Sequence, residues 1–101
     1  MEVMSEQQVI EFLSGDWYDQ FSKIGFTISG YQISNITGIE DVHEAEYSLY
    51  YVQHSNEWFI SSPPISLFDA SIYFASQNQI TIRPITNIVT PLLRLVLTRR
   101  N

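Results

Sequence analysis

The feature that most constrains this chain is a change of hydrophobic period at Gly15. Before it, Val9, Phe12 and Leu13 recur at helical spacing, with Ile10 at the edge of the same stripe. Ser5 suits an N-cap, and Gln8 stands three residues on, as in a capping box. Ser5 to Ser14 therefore reads as an amphipathic helix of about three turns, with Gly15 placed to end it as a C′ residue. After Gly15 the period is two. Trp17 and Phe21 face one way with Asp19 between them, while Tyr18 and Gln20 face the other.

The period of two recurs in most of the segments that follow. Ile24, Phe26 and Ile28 share a face; Tyr31 and Ile33 take the opposite parity. The switch crosses Ser29-Gly30, which marks either a β-bulge bending one long strand or a tight turn between two short ones; the bulge is favoured. A polar loop, residues 37–43, leads to the cleanest amphipathic strand, in which Ala45, Tyr47, Leu49 and Tyr51 alternate with Glu46, Ser48 and Tyr50. His54 to Glu57 is a turn, Trp58 to Ile60 a short strand, and Ser61-Ser62-Pro63-Pro64 a break. Residues 65–76 are apolar on both parities, which suits either a buried strand or a helix, and β-prone Ile72-Tyr73-Phe74 tips that segment towards strand. Ile80 and Ile82 mark a further strand ending at Pro84. After a loop at 86–91, Leu93, Leu95 and Leu97 mark the last strand.

One helix followed by six to eight short strands predicts a mainly β fold of one domain over residues 1–101: an antiparallel meander that closes into a small barrel. The alternative is an α+β roll of cystatin-like or NTF2-like type, with a curved sheet wrapped on the helix. Aromatic residues make up 14% of the chain, which favours half-buried pleated surfaces.

Composition excludes several functions. The net charge of -6 argues against affinity for nucleic-acid backbones, which takes clustered cations. No Cys is present, so there is no thiolate metal site, disulfide or Cys nucleophile. No segment resembles a signal peptide or a membrane helix, so the expected setting is cytoplasmic, away from membranes. Ten of the eleven acids precede Trp58, and four of the five bases follow Ile82; simple solubility is the favoured reading of this asymmetry, and pairing of an acidic first half with a basic last strand across a sheet is the other.

The helix followed by Gly15-Asp16-Trp17 at the head of the first strand resembles the lipocalin-like (calycin) barrels. The resemblance implies an Arg on the last strand packed over the Trp. Arg94, Arg99 and Arg100 are the candidates, and Arg99 shares the parity of Leu95 and Leu97. A cation over an indole face contributes roughly 0.5 to 2 kcal/mol. It would tie the first strand to the last.

No catalytic signature stands out: there is no Gly-x-Ser-x-Gly elbow, phosphate loop or zinc spacing. No cofactor or metal is expected, and an enzyme is the least supported class. The leading expectation is a non-catalytic binding protein for a small apolar or aromatic molecule. Tyr31, Tyr47, Tyr51 and Trp58 would line its pocket, with Arg83 or Arg94 available to an acidic ligand group. The alternative is an acidic inhibitor, immunity or adaptor module that covers a basic site on a protein partner through Glu40, Asp41, Glu44 and Glu46. A meander with an open edge also suggests a homodimer.

Overall fold

The computed structural model describes residues 4–65, 68–85 and 94–100. Helix α1 (Glu6–Leu13) begins with the expected capping box: Ser5 Oγ accepts from Gln8 N–H at 3.2 Å, and Gln8 Oε1 accepts from Ser5 N–H at 2.8 Å. Among the described residues nine strands follow: β1 (Gly15–Asp19), β2 (Ile24–Ser29), β3 (Gln32–Thr37), β4 (Ala45–Glu46), β5 (Ser48–Val52), β6 (Glu57–Ser61), β7 (Asp69–Ser76), β8 (Gln79–Pro84) and β9 (Leu95–Arg100). All neighbours pair antiparallel in the order β4-β3-β2-β1-β9-β8-β7-β6-β5.

That order describes a nearly closed barrel. The strands at its two ends, β4 and β5, are separated in the chain by Tyr47 alone. The sheet therefore curls until its two ends meet in one kinked segment. The last strand β9 lies against the first, with Trp17 opposite Arg99. This is the barrel reading, not the roll.

The registers give the barrel two distinct ends. One carries α1 and the short turns at 30–31, 53–56 and 77–78; the other carries the turn at 20–23, the loop at 38–44 and residues 62–65 and 68. The helix seals its own end with Val9, Ile10 and Leu13. The loop end is filled by Ile65 and Phe68, and the Phe68 ring meets Phe26 edge-on at 5.2 Å. Between them lie Trp17, Ile28, Ile33, Ile60, Ile72, Ile80, Ile82, Leu95 and Leu97, all buried. Burying each aliphatic side chain of that size contributes about 1.5 to 3 kcal/mol.

Several boundaries differ from the sequence pattern. Ser29-Gly30 is not a bulge but the start of a hairpin turn, with Ile28 paired to Ile33 and Ser29 to Gln32; Gly30 carries a φ of 59°. A two-residue hairpin whose first loop position has positive φ is cheapest with glycine there. The bulge lies further along β3. Between the pairs Gly25–Thr37 and Thr27–Ser34, β3 holds one extra residue, and Asn35 has a φ of 51°. That inserted residue is why Ile33 and Ile36, an odd spacing apart, are both buried. Phe21 does not continue the inward row of Trp17: β1 ends at Asp19, and Phe21 is 92% exposed in the turn. The strand expected from Ala45 to Tyr51 breaks at Tyr47. In the segment from Ile65, the strand starts at Asp69. The last strand runs to Arg100, while Leu93 and the expected loop at 86–91 lie outside the described residues.

Gly15 also has a different task from the one the helix pattern suggests. The helix C-cap is Ser14, in extended conformation; Gly15 opens β1 with a φ of 129°. A Cβ on Gly15 would stand 2.8 Å from Arg99 Nη1. The glycine therefore leaves room for a guanidinium. Arg99 Cζ lies 4.3 Å from the Trp17 ring centroid and 5.5 Å from that of Phe12. Its Nη1 donates to Ser14 O at 2.6 Å, its Nη2 to Phe12 O at 2.7 Å, and its Nε to Gln77 O at 3.2 Å. Trp17 Nε1 donates to Leu13 O at 2.8 Å. The carbonyls left free at the end of α1 are thus met by a cation and an indole. Helix, first strand, last strand and the β7–β8 turn are held at one point.

Candidate functional site

The four aromatic residues expected to line a pocket fall into two contacting pairs. Tyr31 and Tyr47 have ring centroids 5.8 Å apart at the hairpin beside α1. Tyr47 is buried and donates to Gly30 O at 2.6 Å. Tyr31 is half in solvent, and its phenol donates to the Glu6 carboxylate on the helix. Burial, with the nearby Tyr31 and Glu6 charges, pushes the Tyr47 phenol up to about 12. The bond to Glu6 raises Tyr31 in the same direction. Both phenols are donors at neutral pH: Tyr31 ties α1 to the β2–β3 hairpin through Glu6, and Tyr47 ties the link between β4 and β5 to the same hairpin at Gly30.

The second pair is Tyr51 and Trp58, directly opposite each other on β5 and β6, with ring centroids 5.4 Å apart. Tyr51 donates to Asn56 Oδ1 at 2.9 Å, across the turn that joins the two strands. Trp58 shares the inward parity of Ile60 and packs against the core. Its Nε1 is buried, and among the described residues it has no hydrogen-bond partner. A buried indole N–H normally finds an acceptor.

The two arginines expected to serve the same pocket lie apart from it. Arg83 is exposed on the outer face of β8, its Cζ 5.3 Å from the ring centroid of the equally outward Tyr73. Arg94 is exposed at the loop end, just before β9, while Trp58 lies towards the helix end.

The acidic residues Glu40, Asp41, Glu44 and Glu46 are all exposed; the first three sit on the 38–44 loop and Glu46 ends β4. Asp41 has a φ of 64° and Gly38 one of 83°. Gly38 lies flat on the neighbouring turn: a Cβ there would come within 2.4 Å of Lys23 O. This packs the acidic loop against the turn that displays Phe21. Among the described residues, no group of three or more His, Asp or Glu is placed to hold a metal ion, and no helix is long and apolar enough to cross a membrane.

Two residues of consequence are not among the site residues expected from the sequence. Asp19 is buried, 2% exposed, at the loop end. Its Oδ1 accepts from Phe21 N–H at 2.8 Å and Ser22 N–H at 3.4 Å; its Oδ2 accepts from Val96 N–H at 3.1 Å. It fixes the 20–23 turn and ties β1 to β9, as Arg99 does at the other end. An acid on the inward parity of Trp17 was the available signal. Phe21 is the other, and its exposure follows from the strand ending two residues earlier.

Comparison with known proteins adds no relative: no family model, no curated protein and no solved structure matches this chain.

Proposed function

We propose that this protein is a non-catalytic carrier or sensor of a small apolar molecule bearing one hydrogen-bond acceptor, held within the barrel in the manner of lipocalin-like proteins. The observation that carries the reading is the buried Nε1 of Trp58, set beside Tyr51 and without a hydrogen-bond partner among the described residues. Leaving such a donor unmet costs about 1 to 3 kcal/mol. A ligand carbonyl or ether oxygen would recover that cost while its apolar body replaced core contacts. Because Arg83 and Arg94 stand away from Trp58, a neutral acceptor suits the site better than a carboxylate.

The test is native mass spectrometry of the protein purified gently from its own host. A small added mass that is lost on denaturation, and whose retention falls in Trp58→Phe, supports the reading. A bare protomer mass from every preparation counts against it.

A second reading rests on Phe21. An aromatic that is 92% exposed, on a turn packed against the loop of Glu40, Asp41 and Glu44, has the anatomy of an anchor within a charged rim. It suits an acidic module for a basic protein partner. Charge reversal at Glu40, Asp41 and Glu44 would then slow association. The ligand reading predicts no such loss.

A further inference from the structure

We infer that the protein pairs with a second copy of itself through the free edge of β5, in antiparallel register centred on Tyr50. The barrel is nearly rather than fully closed, and the opening has a definite place. Tyr47 N–H donates to Tyr31 O at 3.1 Å, towards β3, whereas Glu46 O accepts from Ser62 Oγ at 2.8 Å, towards β6. Backbone groups alternate in direction along a strand. Leu49 and Tyr51 therefore point their N–H and C=O groups the way Tyr47 does, away from β6. Among the described residues no strand meets them there, since β3 has already turned back at Gly30-Tyr31 and β5 stands last in the sheet order.

This edge lacks the usual protections. Charges, prolines and bulges keep natural edge strands from pairing. β5 reads Ser48-Leu49-Tyr50-Tyr51-Val52 and has none of them. It is also self-complementary. With a two-fold axis at Tyr50, Leu49 of each copy faces Tyr51 of the other, and the two pairs exchange about four backbone hydrogen bonds. Ser48 then faces Val52, and Tyr50 faces its own copy in the close, non-hydrogen-bonded position. On the outer face Tyr50 is exposed and already stacks on Phe59, with ring centroids 5.3 Å apart and planes 10° from parallel. Pairing would extend that stack into a row of four aromatic rings, Phe59-Tyr50 from one copy and Tyr50-Phe59 from the other. Like charges at the facing positions would oppose pairing, and β5 carries none. The contact is isologous and closed, so it stops at two copies.

The test is sedimentation velocity across roughly 1 to 100 μM, the range in which a small interface of this kind associates. Wild-type protein should move from the 11.7 kDa protomer to twice that mass. Tyr50→Lys, which sets two cations against each other on the axis, should remain a protomer throughout; Tyr73→Lys, at a more exposed aromatic away from the edge, should behave as wild type. Cross-linking reports the register independently. Non-hydrogen-bonded partners lie about 4.5 Å apart at Cα, within the reach of a disulfide. The chain has no other Cys. Tyr50→Cys should therefore oxidise to a covalent dimer at least tenfold faster than Tyr73→Cys. A protomer at every concentration, a dimer that survives Tyr50→Lys, or equal cross-linking at the two positions overturns the inference.

Discussion

Replacing Arg99 by Ala tests the central structural reasoning, because one side chain joins four parts of the chain. The cation over Trp17 and Phe12 contributes about 1 kcal/mol at a half-buried site. The part-buried bond to Phe12 O contributes about 1.5 kcal/mol, and the bonds to Ser14 O and Gln77 O, open to water, about 0.5 kcal/mol together. The expected loss is the sum, about 3 kcal/mol, which for a domain of this length lowers the melting temperature by roughly 12 to 24 °C. Arg99→Lys keeps the charge but not the fork of donors, so about half of the loss should remain. The assay is urea unfolding followed by the fluorescence of Trp17 in a Trp58→Phe background, since Trp17 is fully buried. A loss under about 0.5 kcal/mol in the alanine variant, below the median of typical mutational effects, would refute the idea that Arg99 closes the barrel. Full rescue by lysine would show that charge alone matters and that the geometry at the helix end does not.

Three further outcomes follow from the same contacts. Gly15→Ala combines a φ of 129° with a Cβ 2.8 Å from Arg99 Nη1, and should destabilise the fold by about 2 kcal/mol or more; in an Arg99→Ala background the steric part should vanish while the backbone strain stays, which a double-mutant cycle in urea resolves. Asp19→Ala leaves Phe21 and Val96 N–H groups without their acceptor and should cost about 2 to 4 kcal/mol by the same unfolding assay. Tyr47 gives a signed pH effect. Its folded phenol is raised to about 12. The neutral form is thus the one the fold favours, so its contribution is complete below the unfolded value of about 10 and is lost as pH climbs through the folded one. The urea midpoint should fall between pH 10 and 12, and Tyr47→Phe should flatten that fall.

Much of the architecture is written in local pattern. Apolar residues at helical spacing capped by Ser5 and Gln8, followed by alternation with breaks at glycine and proline, specify one helix and a run of short strands without knowledge of the rest of the chain. The parity of Leu95, Leu97 and Arg99 even places the guanidinium on the inner side of the last strand. Where the sequence misleads, a local signal has two meanings. Ser29-Gly30 serves a turn as well as a bulge, and only pairing of Ile28 with Ile33 decides between them. The candidate pocket shows the same limit: Tyr31 joins Tyr47 and Tyr51 joins Trp58, but Arg83 turns outward because its parity is opposite to that of Ile80 and Ile82.

The sequence by itself determined the class of element at each point and the side of the strand on which most apolar residues fall, because both depend on backbone periodicity and burial of apolar surface. Only the tertiary structure decided what those faces meet. The kink at Tyr47, which makes one segment serve both ends of the sheet, depends on the accumulated twist of all the strands between. The task of Gly15 depends on a residue more than eighty positions away, and the unmet donor of Trp58 on every side chain around it. Contacts between distant residues leave no period in the chain, so they exist as physical facts only once the barrel has closed.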